Sequence, residues 1–431
     1  MNATTGWRIA VPIGGALVLA VFAWLYAEFP ASYHAILVAW GVAPHFLFLD
    51  THAVLAALDC AREGLDPYHY NPCDVLTRAY NYSPLILEAS ALPVTRSWNT
   101  AVGVALALIF FVCVASLPAP RTRRDGAIMA LALLSTMTAF AIERGNIDLL
   151  IFALITAAGH ALRGRVSARA GAYALLLFAG LLKFYPLAAL AVALREKPSR
   201  FAAATASALA ALVLFALHYR SGLEAAWSLV PVGSPFTDLF GAENLPRGLT
   251  RLLSPLTGES PLARLGAYAV LALLIFYAVR NAVAMTRHAA ALARLPDATW
   301  LFFVLGSALI VGCFFAGQSI GYRGIHFLFV LPGLLALSRA ADAPAIFFRT
   351  AALIVFLMWG EAFREALQHH VDPANQVAAW QTVKAAFWLF RELVWWRVIG
   401  ALAGLLLCFA MSTEMARFAF GARAAAWRKQ P

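Results

Sequence analysis

The sequence predicts an all-α polytopic membrane protein of about twelve transmembrane or partly re-entrant helices. Three observations carry that prediction. Of the 431 residues, 62% are hydrophobic and only 13% charged, whereas a soluble globular domain carries about a quarter charged residues. Uncharged apolar stretches recur along the chain, several close to the roughly 20 residues that cross hydrocarbon as a helix. The basic residues cluster between these stretches instead of being scattered. Together these features exclude a water-soluble globule, a disordered chain and a disulfide-rich secreted miniprotein. A net charge of +11 would point to nucleic acid in a soluble protein. Here its distribution reads as topology, and no nucleic-acid partner is needed.

Ile9–Ala27 opens the series; its apolar core is too long for a cleaved signal peptide, and many further spans follow. Segments near 98–117, 126–142, 149–162, 170–182 and 184–195 come next. Then come Phe201–Leu217, 263–280, Trp300–Ala316, 325–338, 350–360 and 396–412. The basic clusters test this layout. Arg121, Arg123 and Arg124 precede one pair of segments, and Arg163, Arg165 and Arg169 follow it. Arg195, Lys197 and Arg200 close the next pair, followed along the chain by Arg280, Arg287, Arg294, Arg339, Arg349, Arg417, Arg423, Arg428 and Lys429. Placed on one side with Arg8, they share it with only the acids Asp125, Glu196, Asp297, Asp342 and Glu414. The positive-inside tendency makes that side cytoplasmic, with both termini there.

The same layout settles residues 170–195. One helix would bury Lys183 in mid-membrane, but both ends carry basic clusters and belong on one side. Two short helices meeting outside at Lys183-Phe-Tyr-Pro186 are expected, with Pro186 suited to a helix start. The outer turns Glu143-Arg-Gly-Asn-Ile-Asp148 and Gln318–His326 add polar residues to the same face. Longer extracytoplasmic loops are expected at 29–97, 218–262 and 361–395, carrying short amphipathic helices, within a single integral-membrane domain over 1–431. The 361–395 segment reads as an amphipathic helix lying on the outer surface. Trp227, Trp359, Trp380, Trp388, Trp395 and Trp396 read mostly as interfacial belt residues, a few of them able to stack on sugar rings.

Of the five cysteines, Cys113, Cys313 and Cys408 fall in apolar segments and read as small hydrophobes. Cys60 and Cys73 share the first outer loop, where an oxidising compartment favours a disulfide. Zinc is the weaker alternative, because no CxxC pair or compact His/Cys cluster accompanies them.

The richest stretch runs from Phe48 to Tyr68 and on to Tyr82-Ser-Pro84. Asp50 follows an apolar run and opens an amphipathic segment. It reads either as an N-cap or as a carboxylate placed to take a proton from a sugar hydroxyl. Asp59 is a competing base, and Asp66 reads as a turn residue. The cations Arg144, Lys183 and Arg323, with His326 nearby, sit at hairpin tips. Each alone would read as a snorkelling side chain; three on one face make a site for a phosphate. Glu143 and Asp148 read as partners of Arg144 or as helix caps. No Walker-type loop, GxGxxG, HExxH or GxSxG is present.

Asp50, Gly64-Leu-Asp66-Pro-Tyr68, Tyr82-Ser-Pro84, Arg144-Gly-Asn146-Ile-Asp148 and Lys183-Phe-Tyr-Pro186 form an ordered set. It resembles the GT-C superfamily of integral-membrane glycosyltransferases, in particular its bacterial branch of polyprenol-phosphate-mannose-dependent mannosyltransferases. The resemblance spans about residues 1–200; topology carries the rest. It implies an inverting glycosyltransferase in a bacterial cytoplasmic (inner) membrane with an extracytoplasmic active site. Asp50 is then the catalytic base, with Asp59 as the alternative. Lys183, Arg144, Arg323 and His326 hold the donor phosphate, and Tyr68, Tyr82 and Asn146 contact acceptor or sugar. The implied partners are a polyprenyl-phosphate-linked sugar, a glycan or glycolipid acceptor and membrane lipid. No cofactor is implied, and any metal requirement stays open. A transporter or flippase of lipid-linked saccharide and an O-antigen-type ligase or polymerase are the alternative functions.

Overall fold

Lipid offers backbone amides no partner, so a spanning chain must bond to itself. Among the described residues every regular element is a helix, apart from an isolated antiparallel bridge between Phe240 and Ser319. The computed structural model describes residues 3–230, 232–257, 261–340, 344–371 and 378–420. Asp342, Arg423, Arg428 and Lys429, and parts of the 218–262 and 361–395 loops, lie outside the described residues.

Seven described helices are long and apolar enough to cross a membrane: Gly6–Glu28, Arg96–Ser116, Pro198–His218, Arg264–Ala293, Asp297–Ala316, Gly321–Ala340 and Trp380–Ser412. Two bent pairs raise the number to nine. Arg123–Leu133 meets Thr136–Arg144 at 45°, and Ala345–Met358 meets Gly360–Val371 at 60°. Asp148–Ala161, Val166–Leu182 and Tyr185–Arg195 are shorter apolar helices. The chain is therefore a multi-pass helical membrane protein. Each predicted segment falls on one of these helices, and the predicted twelve are reached only by counting the bent pairs and the three short helices.

The hairpin Asp297–Ala316/Gly321–Ala340 forms the centre, buried along most of its length. Asp148–Ala161, Tyr185–Arg195 and Ala378–Ser412 pack around it. Gly6–Glu28 and Pro198–His218 lie outermost and expose Ile13, Leu17, Val21, Leu209, Val213 and Leu214. An apolar surface of that kind is suited to acyl chains and not to water. The split at Lys183 occurs as expected: Lys183 is extended (φ −145°, ψ 139°) and ends the Val166–Leu182 helix. Its successor Tyr185–Arg195 is a 3₁₀ helix. At about 2.0 Å per residue it advances about 22 Å, where an α-helix of that length would cover about 17 Å.

The bend between Leu133 and Thr136 frees carbonyls that need donors. The Trp40 indole donates to the Leu134 carbonyl at 2.9 Å, and the Trp359 indole to the Leu131 carbonyl at 2.8 Å. The two indoles stack, with centroids 6.3 Å apart. Several expected belt tryptophans are thus structural. Trp388, Trp395 and Trp396 lie in the protein core, Trp395 stacked on Phe240 at 4.2 Å, whereas Trp227 is exposed. The 361–395 segment also departs from the single surface helix expected. Gly360–Val371 is one helix, and the residues from Ala378 continue without a break into the last apolar helix, ending at Ser412. Its arginine and tryptophans pack inward against the second outer loop, which is why its amphipathic pattern does not mark a solvent boundary.

Candidate active site

The local sequence that builds the site is a turn. Gly145 ends the Thr136–Arg144 helix with φ +56°, a conformation glycine adopts without strain. Asn146 then accepts the Asp148 amide on Oδ1 at 2.9 Å and so starts the next helix. A Cβ on Gly145 would lie 2.4 Å from Thr51 Oγ1. That closeness is used, because Thr51 Oγ1 donates to the Gly145 carbonyl at 2.6 Å. On the other side Phe48 donates its amide to the Glu143 carbonyl at 2.8 Å and sits at φ +61°, a strained value for a bulky residue. These contacts clamp the Leu49–Arg62 helix onto the turn.

Asp50 is therefore not an N-cap. The helix begins at Leu49 after Phe48, and Asp50 lies in its first turn, where the helix dipole favours a negative charge. Its carboxylate faces sideways. Asn146 Nδ2 donates to Asp50 Oδ2 at 2.6 Å and lies 3.5 Å from the Tyr82 hydroxyl. Lys183 Nζ donates to Asn146 Oδ1 at 3.1 Å. One amide thus joins a carboxylate to an ammonium. Lys183 also lies 5.3 Å from the Tyr82 ring centroid and 5.4 Å from that of Tyr322.

Behind this pair is Asp148, fully buried. Lys183 Nζ approaches its Oδ1 at 3.0 Å, Arg323 Nε lies 3.9 Å from its Oδ2, and the Tyr185 hydroxyl donates to Oδ1 at 2.8 Å. The expected pairing of Asp148 with Arg144 does not occur. Arg144 instead pairs with Glu143 at 3.1 Å and donates to the Ala43 carbonyl; this is the partner predicted for Glu143. Arg323 also donates to Ser319 Oγ at 2.7 Å. The side chains of Asp50, Lys183 and Arg323 remain 16%, 10% and 22% exposed, so the cluster reaches the surface.

Of the residues expected at the site, Asp50, Asn146, Tyr82, Lys183 and Arg323 come together. The others take different places. Asp59 pairs with Arg62 at 2.7 Å and accepts the Arg96 amide at 3.1 Å, tying down the end of the loop. The Tyr68 hydroxyl donates to the Tyr82 carbonyl at 2.9 Å and so supports Tyr82 from behind. His326 is fully buried beside the stacked pair Phe152 and Phe329, 6.1 Å from each ring centroid, its Nε2 2.7 Å from the Tyr185 hydroxyl. That hydroxyl gives its proton to Asp148, so His326 donates through Nε2 and braces Tyr185 without reaching a ligand.

Two residues, Tyr185 and Arg78, escaped the sequence reading, and Asp148 was read only as a partner of Arg144 or a helix cap. Tyr185 and Asp148 form the rear of the site. Arg78 approaches Asp50 Oδ1 at 3.9 Å while Asp74 grips it with bonds of 2.7 and 3.0 Å. Burial pushes the Asp74 carboxyl up, but the Arg78 guanidinium overrides this and holds it below the usual carboxylate range. The four-residue spacing of Asp74 and Arg78 was the available signal. Cys60 and Cys73 form the expected disulfide, with Cα atoms 5.9 Å apart, immediately before Asp74. Among the described residues no group of three or more His, Cys, Asp or Glu side chains is placed to hold a metal ion.

No family model, no curated protein and no solved structure matches the chain.

Proposed function

We propose that the protein is a membrane glycosyltransferase moving a sugar from a polyprenyl-phosphate donor to a glycan or glycolipid acceptor, with inversion. Mannose is the first sugar to try. The reading takes the helical segments as a GT-C-like arrangement in a bacterial inner membrane, with the site outward and both termini inside. The observation that carries it is the shared amide of Asn146, which holds the Asp50 carboxylate and the Lys183 ammonium side by side.

In this reading the acceptor hydroxyl gives its proton to Asp50 as its oxygen attacks the anomeric carbon. The bond from that carbon to the phosphate oxygen breaks, and polyprenyl phosphate leaves with its charge facing Lys183 and Arg323. Asp148 keeps both cations in place, and Arg78 orients Asp50 from the other side. The disulfide supports the outward placement, since such bonds persist in oxidising compartments.

Asp50→Asn, purified and supplied with polyprenyl-phosphate mannose and acceptor, is expected to lose about 10²–10⁴-fold in turnover. Undiminished turnover refutes the base assignment. A transporter is the second reading, favoured by the two bent helices that meet through Trp40 and Trp359. A radiolabelled sugar separates the readings: transfer of one sugar, movement without bond formation, or transfer of a whole glycan as a ligase would give.

A further inference from the structure

The opposite end of the bundle holds a second polar feature, unrelated to Asp50. Arg323 and Arg339 stand at the two ends of one helical run, Gly321–Ala340. Sixteen residues at about 1.5 Å each separate them by about 24 Å. Around Arg339 the chain encloses a cavity of about 220 Å³. Arginines from three separate segments line it: Arg121 before the Arg123–Leu133 helix, Arg294 before the Asp297–Ala316 helix, and Arg339. One carboxylate, Asp125, faces them and is bonded to Arg339. The Arg121 and Arg294 side chains have no ion-pair partner among the described residues, and both are exposed. The cavity floor is apolar, with Met129 and Leu335. The first turn of the Asp297–Ala316 helix adjoins it without a side-chain cap, so its amides are further donors, and the same turn carries the carboxylate Asp297.

We propose that this cavity binds a phosphate-bearing anion. Three guanidiniums against the lining carboxylate Asp125 and the Asp297 of the adjoining turn still leave an excess of positive charge, which suits a phosphate ester. Guanidinium forks pair with phosphate oxygens in bidentate fashion. The apolar floor beneath a basic rim is the arrangement in which a lipid headgroup settles between helices; a free phosphate would use the rim alone. The chemistry is shared, and the source is decided by experiment.

The full chain is compared with R121Q/R294Q, which leaves the Arg339–Asp125 pair intact, and with R163Q/R165Q, which removes the same charge outside the cavity. Melting by circular dichroism checks that all three are folded. In nanodiscs of phosphatidylcholine mixed with phosphatidylglycerol, retained phosphatidylglycerol is read by native mass spectrometry. In lipid-free micelles, inorganic phosphate is titrated and the Tm followed. If the source is lipid, retention falls roughly thirtyfold in R121Q/R294Q and not in R163Q/R165Q. If it is free phosphate, the phosphate-induced rise in Tm disappears in R121Q/R294Q alone while lipid retention is unchanged. Equal behaviour of the two double variants in both arms overturns the proposal.

Discussion

Asp148 and Glu361 are both buried carboxylates set between two cations, yet the protein leaves them in different conditions. Glu361 is satisfied on both oxygens, by Arg391 at 2.5 Å and Arg364 at 2.6 Å. Arg391 goes on to the Thr237 and Leu239 carbonyls, joining the bent helix, the last helix and the second outer loop. Asp148 has one oxygen without a hydrogen-bond partner in the protein, and its cations reach the surface. A closed cluster holds elements together. An open one leaves charge available to a visitor. Burial alone does not distinguish the two roles; what distinguishes them is whether both carboxylate oxygens are bonded.

The comparison can be broken most directly at Glu361. Glu361→Gln removes the charge between Arg391 and Arg364 and is expected to cost about 3–5 kcal/mol of stability. Under the proposed function, turnover per folded molecule should stay unchanged, as measured by thermal melting beside an activity assay. A variant that melts normally would make the closed cluster dispensable. Lys183→Gln should do the reverse, lowering turnover about 10²–10³-fold with a smaller change in melting, because Asp148 keeps Arg323 and Tyr185. Full activity in this variant would remove the lysine from the reaction.

The closed cluster also has a pH signature. Asp238 adjoins it, and burial, then the nearby Glu361, push its carboxyl up to about 6. Folding therefore takes up a proton between about pH 4 and pH 6. The favourable contribution is present below about pH 4 and is lost as the pH rises through 6. Between those limits Asp238→Asn should gain on the parent by up to about 3 kcal/mol. Parallel denaturation profiles of the two proteins would contradict this. The smallest effect is expected at the turn, where Gly145→Ala forces a Cβ into φ +56° and against Thr51. It should cost about 1–3 kcal/mol of stability and lower turnover by moving Asp50 away from Asn146. Unaltered kinetics would show that the clamp does not set the position of Asp50.

The helices were legible because lipid demands long apolar runs and leaves charges only at their ends; even the split at Lys183 followed from charge placement. The site was legible residue by residue but not in its pairings. Asp50 meets Asn146 across 96 positions and Tyr185 meets His326 across 141, and no local pattern encodes such distances. Asp148 was read as a partner of Arg144, four residues away, because sequence proximity was the only guide. The tryptophans misled for a related reason. A side chain suited to the membrane boundary is equally suited to a helix interface, and only the packing tells whether Trp388, Trp395 and Trp396 face lipid or protein.

The disulfide has a consequence for when the protein becomes competent. Cys73 is covalently fixed to Cys60, Asp74 follows it in the chain, Asp74 grips Arg78, and Arg78 faces Asp50. A newly made chain whose thiols are still reduced lacks the covalent tie at the start of this relay. Under the proposed reading, insertion into the membrane and maturation of the active site are therefore separate events. On that reading, a molecule still meeting a reducing compartment stays silent until its loop is oxidised.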